Sequence, residues 1–152
     1  MDRQVQNEAW ERAIEYFRGR FPNNGRFSLL RDESIDEVVR REKVPNARGV
    51  YVIFRCDDAQ NPLQIGKAGT MNQDGSWKKQ GLARRLTMKQ DGMYRSAFFR
   101  KLMKEESIDR LTFHWFATHD GNSKVIPGLA EMELLQAHFD QYGCLPKLNR
   151  CA

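Results

Sequence analysis

Gly49-Val50-Tyr51-Val52-Ile53-Phe54-Arg55-Cys56, followed by Leu63-Gln64-Ile65-Gly66-Lys67, is the stretch that decides the fold. The first segment is dense in β-branched and aromatic residues, the composition that suits a buried pleated strand. Asp57-Asp58-Ala59-Gln60-Asn61-Pro62 supplies turn chemistry. The second segment then returns as the other arm of a hairpin, with a loop longer than the tightest types. Cys56 ends the strand-like run and suits core filling better than nucleophilic chemistry.

Downstream, Ala68 to Gly81 is polar, carries Gly69, Gly75, Gly81 and Trp77, and is expected to be a surface loop. A loop of this length in a small domain is often functional. Helices are expected from Leu82 to Met88 and from Ser96 to Met103, the second with Phe98, Phe99, Leu102 and Met103 facing inward. Leu111 to Thr118 alternates in part and predicts a third strand. Pro127 opens a last helix reaching about Tyr142, a favoured place for proline. Leu134, Leu135 and Phe139 are its expected inner face, and the tail from Leu145 to Asn149 is expected to be extended.

Upstream, Trp10, Ala13, Ile14 and Phe17, with Val5, fall near helical spacing and predict an amphipathic helix over residues 5 to 18. Phe21-Pro22-Asn23-Asn24-Gly25 reads as the turn that ends it. Ser34 starts a second helix, with Glu37 placed to complete a capping box and with Ile35, Val38 and Val39 buried. Residues 1–47 are thus expected as an N-terminal helical extension, and 48–152 as the main domain. The fold class is mixed α/β, with a small, mainly antiparallel three-stranded sheet flanked by helices.

The 152 residues are 40% hydrophobic and 30% charged, enough to fill one core and cover it with a polar surface. No apolar run approaches the roughly 20 residues that span a bilayer, so no membrane role is expected. Three cysteines, Cys56, Cys144 and Cys151, are an odd number without metal-site spacing and fit a reducing, cytoplasmic compartment. The net charge is +5. Between Lys67 and Arg110 eleven basic residues face five acidic ones, so this segment carries +6 and the rest −1. Such an excess suits a surface that meets a polyanion, and it also suits a solvated helical face. His114, His119 and His138 are scattered. No phosphate-cradling glycine loop, zinc site or nucleophile elbow is present.

Five short pieces stand in order: Gly49-Val50-Tyr51 on one strand, Gln64-Ile65-Gly66-Lys67 on the next, Leu82-Ala83-Arg84-Arg85-Leu86 on a helix, Ala130-Glu131-Met132-Glu133-Leu134-Leu135 on the last helix, and Pro146-Lys147-Leu148-Asn149 at the end. Across residues 48 to 150 this series resembles the GIY-YIG nuclease family, which includes homing endonucleases, some restriction enzymes and the incision subunit of bacterial excision repair. The resemblance implies a phosphodiester-hydrolysing endonuclease acting on nucleic acid, with DNA as the expected substrate, and one Mg²⁺ or Mn²⁺ held by Glu131. It implies Tyr51 as general base or water-orienting group, Arg85 on the scissile phosphate, and Asn149 as a hydrogen-bonding support of substrate or site.

Chemistry agrees with those roles. A free phenol has a pKa near ~10, so base catalysis by Tyr51 requires a cation beside it. Lys67 and Arg85 are the expected suppliers. The guanidinium fork of Arg85 suits two phosphoryl oxygens. Arg84 competes for that place, and only the Leu-x-x-Arg spacing favours Arg85. Glu133 competes with Glu131 but points about 200° away around the helix. Trp77, with Lys78 and Lys79, makes a candidate contact to sugar, base and phosphate, or else a loop tryptophan covering the core edge. Tyr51 also fits as a packed strand aromatic, Lys67 and Arg85 as solvated charges, and Glu131 as a helix-start carboxylate.

The family's second tyrosine falls on Gln64, which can hydrogen-bond a phosphate or water but has no ionisable phenol. The alternative is therefore a binding module of the same fold with weakened or absent chemistry. A third expectation is a protein partner engaged through the N-terminal helices.

Overall fold

The computed structural model of the protein describes residues 3–56, 62–78 and 81–152, with side chains in the first helix described from Trp10 onward. The helix contribution of Val5, the turn at Asp57 to Asn61, and Lys79 lie outside the described residues. The elements in chain order are α1 (Arg3–Arg20), β1 (Asn24–Leu30), α2 (Ile35–Arg41), β2 (Arg48–Arg55), β3 (Pro62–Ala68), α3 (Leu82–Thr87), the short β4 (Lys89–Gln90) and β5 (Met93–Tyr94), α4 (Arg95–Glu105), β6 (Arg110–His119) and α5 (Pro127–Tyr142). The mixed α/β class stands. Among the described residues, no helix is long and apolar enough to cross a membrane.

The main sheet has strand order β1-β6-β2-β3, antiparallel throughout. β2, β3 and β6 are the three expected strands, and β2 sits between the other two. The fourth strand, β1, corrects the expectation that residues 1–47 form a purely helical extension. Asn24 and Gly25 belong to it, and its Phe27 and Leu29 pair with Phe113 and Leu111. The Phe27 and Phe113 rings stack with centroids 4.7 Å apart. The alternation of Phe27 and Leu29 with Arg26 and Ser28 has the strand period, but it directly follows turn-rich residues.

Helices cover both faces of the sheet. Because side chains alternate along a strand, β2 sends Tyr51 and Ile53 to one face and Val50, Val52 and Phe54 to the other. The first set packs with Phe99 and Met103 of α4, Leu82 and Leu86 of α3, and Ile35 and Val38 of α2. The second packs with Trp10, Ile14 and Phe17 of α1 and Ala130, Leu134 and Leu135 of α5. With both faces covered, the middle of β6 is buried along its whole length.

Several local expectations change in detail. Ser34 is the N-cap of α2 but makes no side-chain capping bond; its hydroxyl donates instead to Asp36 Oδ2. Phe139 is 52% exposed. The inner row of α5 runs through Ala130, Leu134 and His138, and the His138 ring meets Trp10 edge-on. Phe98 is partly buried against the core rather than within it.

Two glycines of the ordered pieces are explained by close packing. A Cβ on Gly49 would stand 1.9 Å from the backbone oxygen of Phe116, at the bulge where β2 meets β6. A Cβ on Gly66 would stand 2.3 Å from the Tyr51 hydroxyl, because the phenol ring lies directly over that residue.

The tail closes the β3 edge. Leu148 N donates to Leu63 O at 2.9 Å. The Asn149 amide grips Ile65 on both sides: Oδ1 accepts from Ile65 N and Nδ2 donates to Ile65 O, each at 2.8 Å. An open strand edge is thereby satisfied. Asn149→Ala is expected to lower stability by about 1–3 kcal/mol, the worth of two such bonds, in a urea melt.

Candidate phosphate and metal site

Lys67, Arg85 and Glu131 come from three elements that the sequence keeps well apart, and all three meet at the end of β3. α3 and α5 both pack against β3, α3 carrying Arg85 and α5 carrying Glu131. Lys67 is exposed on β3, and its Nζ lies within 3.7 Å of where a Gly128 Cβ would stand, at the start of α5. Glu131 is half-buried. Burial raises its carboxyl above the ordinary carboxylate value, and the charges of Lys67 and then Arg85 pull it back. The carboxylate forms no hydrogen bond or close ion pair among the described residues, and neither do Lys67 and Arg85. The three therefore present uncommitted charge around one point: two cations and a carboxylate held partly out of water.

The competing residues are placed elsewhere. Glu133 is bound by Arg20 of α1, Nη1 donating to Oε2 at 2.7 Å. Arg84 is exposed on α3, whereas Arg85 is half-buried and acts on Glu131. Not all of the basic middle segment contributes to one surface: Arg95 is buried and Lys101 faces Glu105 one helical turn on.

Tyr51 is not part of this cluster. Its side chain is 0% exposed. The cation that touches it is Arg95, not Lys67 or Arg85: Arg95 Nη2 donates to Tyr51 Oη at 2.8 Å. The Arg95 guanidinium also lies 5.3 Å from the centre of the Tyr51 ring and 5.7 Å from that of Phe99. Arg95 is itself 0% exposed, and its Nε and Nη1 have no partner among the described residues. Sequence inspection did not single it out, because an arginine opening a helix normally reads as a solvated charge.

Gln64 leaves β3 on the same side as Tyr51 and opposite to Lys67, as strand alternation requires. It is buried, and its Oε1 has no partner among the described residues. The Asn149 amide bonds the Ile65 backbone through both its oxygen and its nitrogen, which fixes the strand that carries Gln64, Gly66 and Lys67.

The loop after β3 is organised by Asp74, whose Oδ1 accepts from both the backbone and the hydroxyl of Ser76. Met71 and Trp77 bridge across it. Trp77 is half-buried, with Arg48 over its ring at 4.8 Å and His119 against it at 4.8 Å. Its aromatic surface is thus already engaged within the chain. Lys78 beside it is exposed.

Glu131 is the carboxylate a divalent ion would meet here; no group of three or more His, Cys, Asp or Glu able to hold a metal occurs among the described residues. That donor set fits Mg²⁺ better than zinc. Mg²⁺ keeps several waters and is commonly bound through one or two carboxylates plus substrate phosphates. No family model, curated protein or solved structure matches the chain.

Proposed function

We propose that the chain is a metal-dependent endonuclease that cleaves the phosphodiester backbone of nucleic acid, with DNA as the first substrate to test. The observation that carries the proposal is the convergence of Lys67, Arg85 and Glu131, three residues from separate ordered pieces, at the end of β3. Arg85 clamps the scissile phosphate through its fork, and Lys67 neutralises a further oxygen. Glu131 would hold the divalent ion, which when bound supplies Lewis-acid stabilisation of the leaving oxygen. Tyr51 orients the attacking water, which requires its enclosed hydroxyl to become reachable when substrate binds. Arg95 holds that hydroxyl over Gly66 until then.

The test is incubation with end-labelled duplex, branched DNA and RNA in Mg²⁺ or Mn²⁺, wild type beside Tyr51→Phe. Cleavage by the wild type and its loss in Tyr51→Phe are expected. Binding should weaken steeply with salt. Lys67→Gln and Arg85→Gln should each make the log–log salt slope shallower by roughly 0.9, one phosphate contact.

A second proposal is a nucleic-acid-binding module without chemistry. The enclosure of Tyr51 and the glutamine at position 64 favour it. Salt-sensitive binding with every substrate left intact would make it the better account. Salt-insensitive behaviour would point instead to a protein partner on the N-terminal helices.

A further inference from the structure

An open groove of about 550 Å³ lies between α2 and α3. Its apolar lining is Val39 and Val44, both buried, with Ala83 partly so. Arg40 and Lys43 line it from the α2 side and Arg84 from α3. All three cations are exposed, and their side chains form no hydrogen bond or ion pair among the described residues. The carboxylate of the lining is Asp36, which accepts from the Ser34 hydroxyl at 3.4 Å. Three cations against one carboxylate leave a surplus of two positive charges. Other acids at the ends of α2 are held by Arg41, which donates to Glu33 at 2.9 Å and reaches Glu42 at 3.6 Å.

Arg40 and Lys43 lie outside the basic middle segment, and the charge balance of residues 1–47 hides them. The fold sets them beside Arg84, which belongs to that segment. Asn46 adds a neutral donor. Its Oδ1 accepts from Arg84 N at 3.2 Å, so its Nδ2 is the end left to donate.

A single phosphate calls for a compact cradle of converging donors. Here the donors are spread around an open groove, which suits a ligand with repeated charge. Arg84 and Arg85 are neighbours on α3, where successive residues point about 100° apart. Arg84 lines the groove while the charge of Arg85 acts on Glu131. The groove thus continues the phosphate and metal site around one short helix. A backbone of regularly spaced phosphates is a ligand that can engage both at once.

We propose that the α2–α3 groove carries the phosphate backbone of the nucleic acid away from the scissile position, with Arg40, Lys43 and Arg84 as its contacts. The inference rests on the nucleic-acid reading of the Lys67–Arg85–Glu131 cluster. It makes part of the N-terminal segment a nucleic-acid surface. Contacts of this kind fix the register of the chain on its substrate and carry no sequence information directly.

The test is fluorescence anisotropy of a labelled duplex with the full chain, between about 50 and 200 mM salt. The variants are Arg40→Gln, Lys43→Gly and their combination. Arg12→Gln is the control, on α1 across the sheet. Lys43 has φ 53°, a left-handed conformation that glycine adopts without strain, so Lys43→Gly should melt no earlier than wild type. Each groove variant should make the log–log salt slope shallower by roughly 0.9, and the combination by roughly twice that. Arg12→Gln should leave the slope unchanged. A slope altered by Lys67→Gln and Arg85→Gln but not by the groove variants overturns this inference and leaves the proposed function standing. Absence of salt-sensitive duplex binding by the wild type overturns both. Polyglutamate that displaces the label as well as unlabelled duplex does, charge for charge, would assign the groove to an acidic protein and also overturns the inference.

Discussion

Glu131→Gln should reduce metal-dependent cleavage by about 10²–10³-fold or more, the loss typical of removing one group that stabilises transition-state charge. The substitution keeps the shape of the side chain and removes its charge. No hydrogen bond to another described side chain is lost, so the effect should fall on chemistry rather than on folding. Stability should move the other way, and with pH. Burial raises the Glu131 carboxyl above its ordinary value of 4.5. A carboxyl raised in the folded state contributes stability while protonated and loses it as pH rises through the folded value. Glutamine does not titrate. Relative to wild type, the variant should therefore gain in melting temperature between pH 4 and pH 7. A gain of stability together with a loss of activity is the signature of a carboxylate kept for function. A variant that is both inactive and strongly unstable would assign Glu131 to the fold.

The Tyr51→Phe/Arg95→Met double variant should be about 1–4 kcal/mol more stable than wild type and at least 10²-fold less active. Arg95 is enclosed among Tyr51 and Phe99, with one hydrogen bond and no acidic partner among the described residues. A charge taken out of water without a counter-charge is costly, and two of its nitrogens are left unpaired. Methionine is unbranched and fills irregular space, so it can occupy the same channel without that cost. Arg95→Met alone would strand the Tyr51 hydroxyl, which costs about 1–3 kcal/mol; changing both partners removes that penalty. Urea midpoints of the two single variants and the double give the coupling directly. A double variant less stable than wild type by more than about 1 kcal/mol would show that the pair serves packing rather than function.

Much of this arrangement is legible in the chain itself, and its failures have physical causes. β2, β3 and β6 announce themselves through β-branched and aromatic density, and α5 through Pro127 and its apolar row. β1 does not, because its first residues, Asn24 and Gly25, carry turn chemistry; their place in the sheet is fixed by pairing with Phe116 and Trp115, far away along the chain. The β4–β5 ribbon is only two residues per strand around Asp91 and Gly92, both at positive φ. Its dipeptide is a known hairpin signal, but without flanking alternation it is faint. In the site, helical geometry alone separates Glu131 from Glu133, and the structure adds the reason: Arg20 occupies the second. Burial of Tyr51 as a packed strand aromatic was among the readings the sequence left open; its partner Arg95 was not, because spacing does not tell which arginine a fold will bury.

The most direct measurement is single-turnover nicking of supercoiled plasmid in Mg²⁺ and in Mn²⁺ by wild type and Glu131→Gln. Metal-dependent conversion to the open circle by the wild type, reduced at least 10²-fold in a variant that melts no earlier, is the predicted result. Plasmid left supercoiled by the wild type in both metals, or cut equally well by both proteins, would contradict a phosphate and metal site built on Lys67, Arg85 and Glu131.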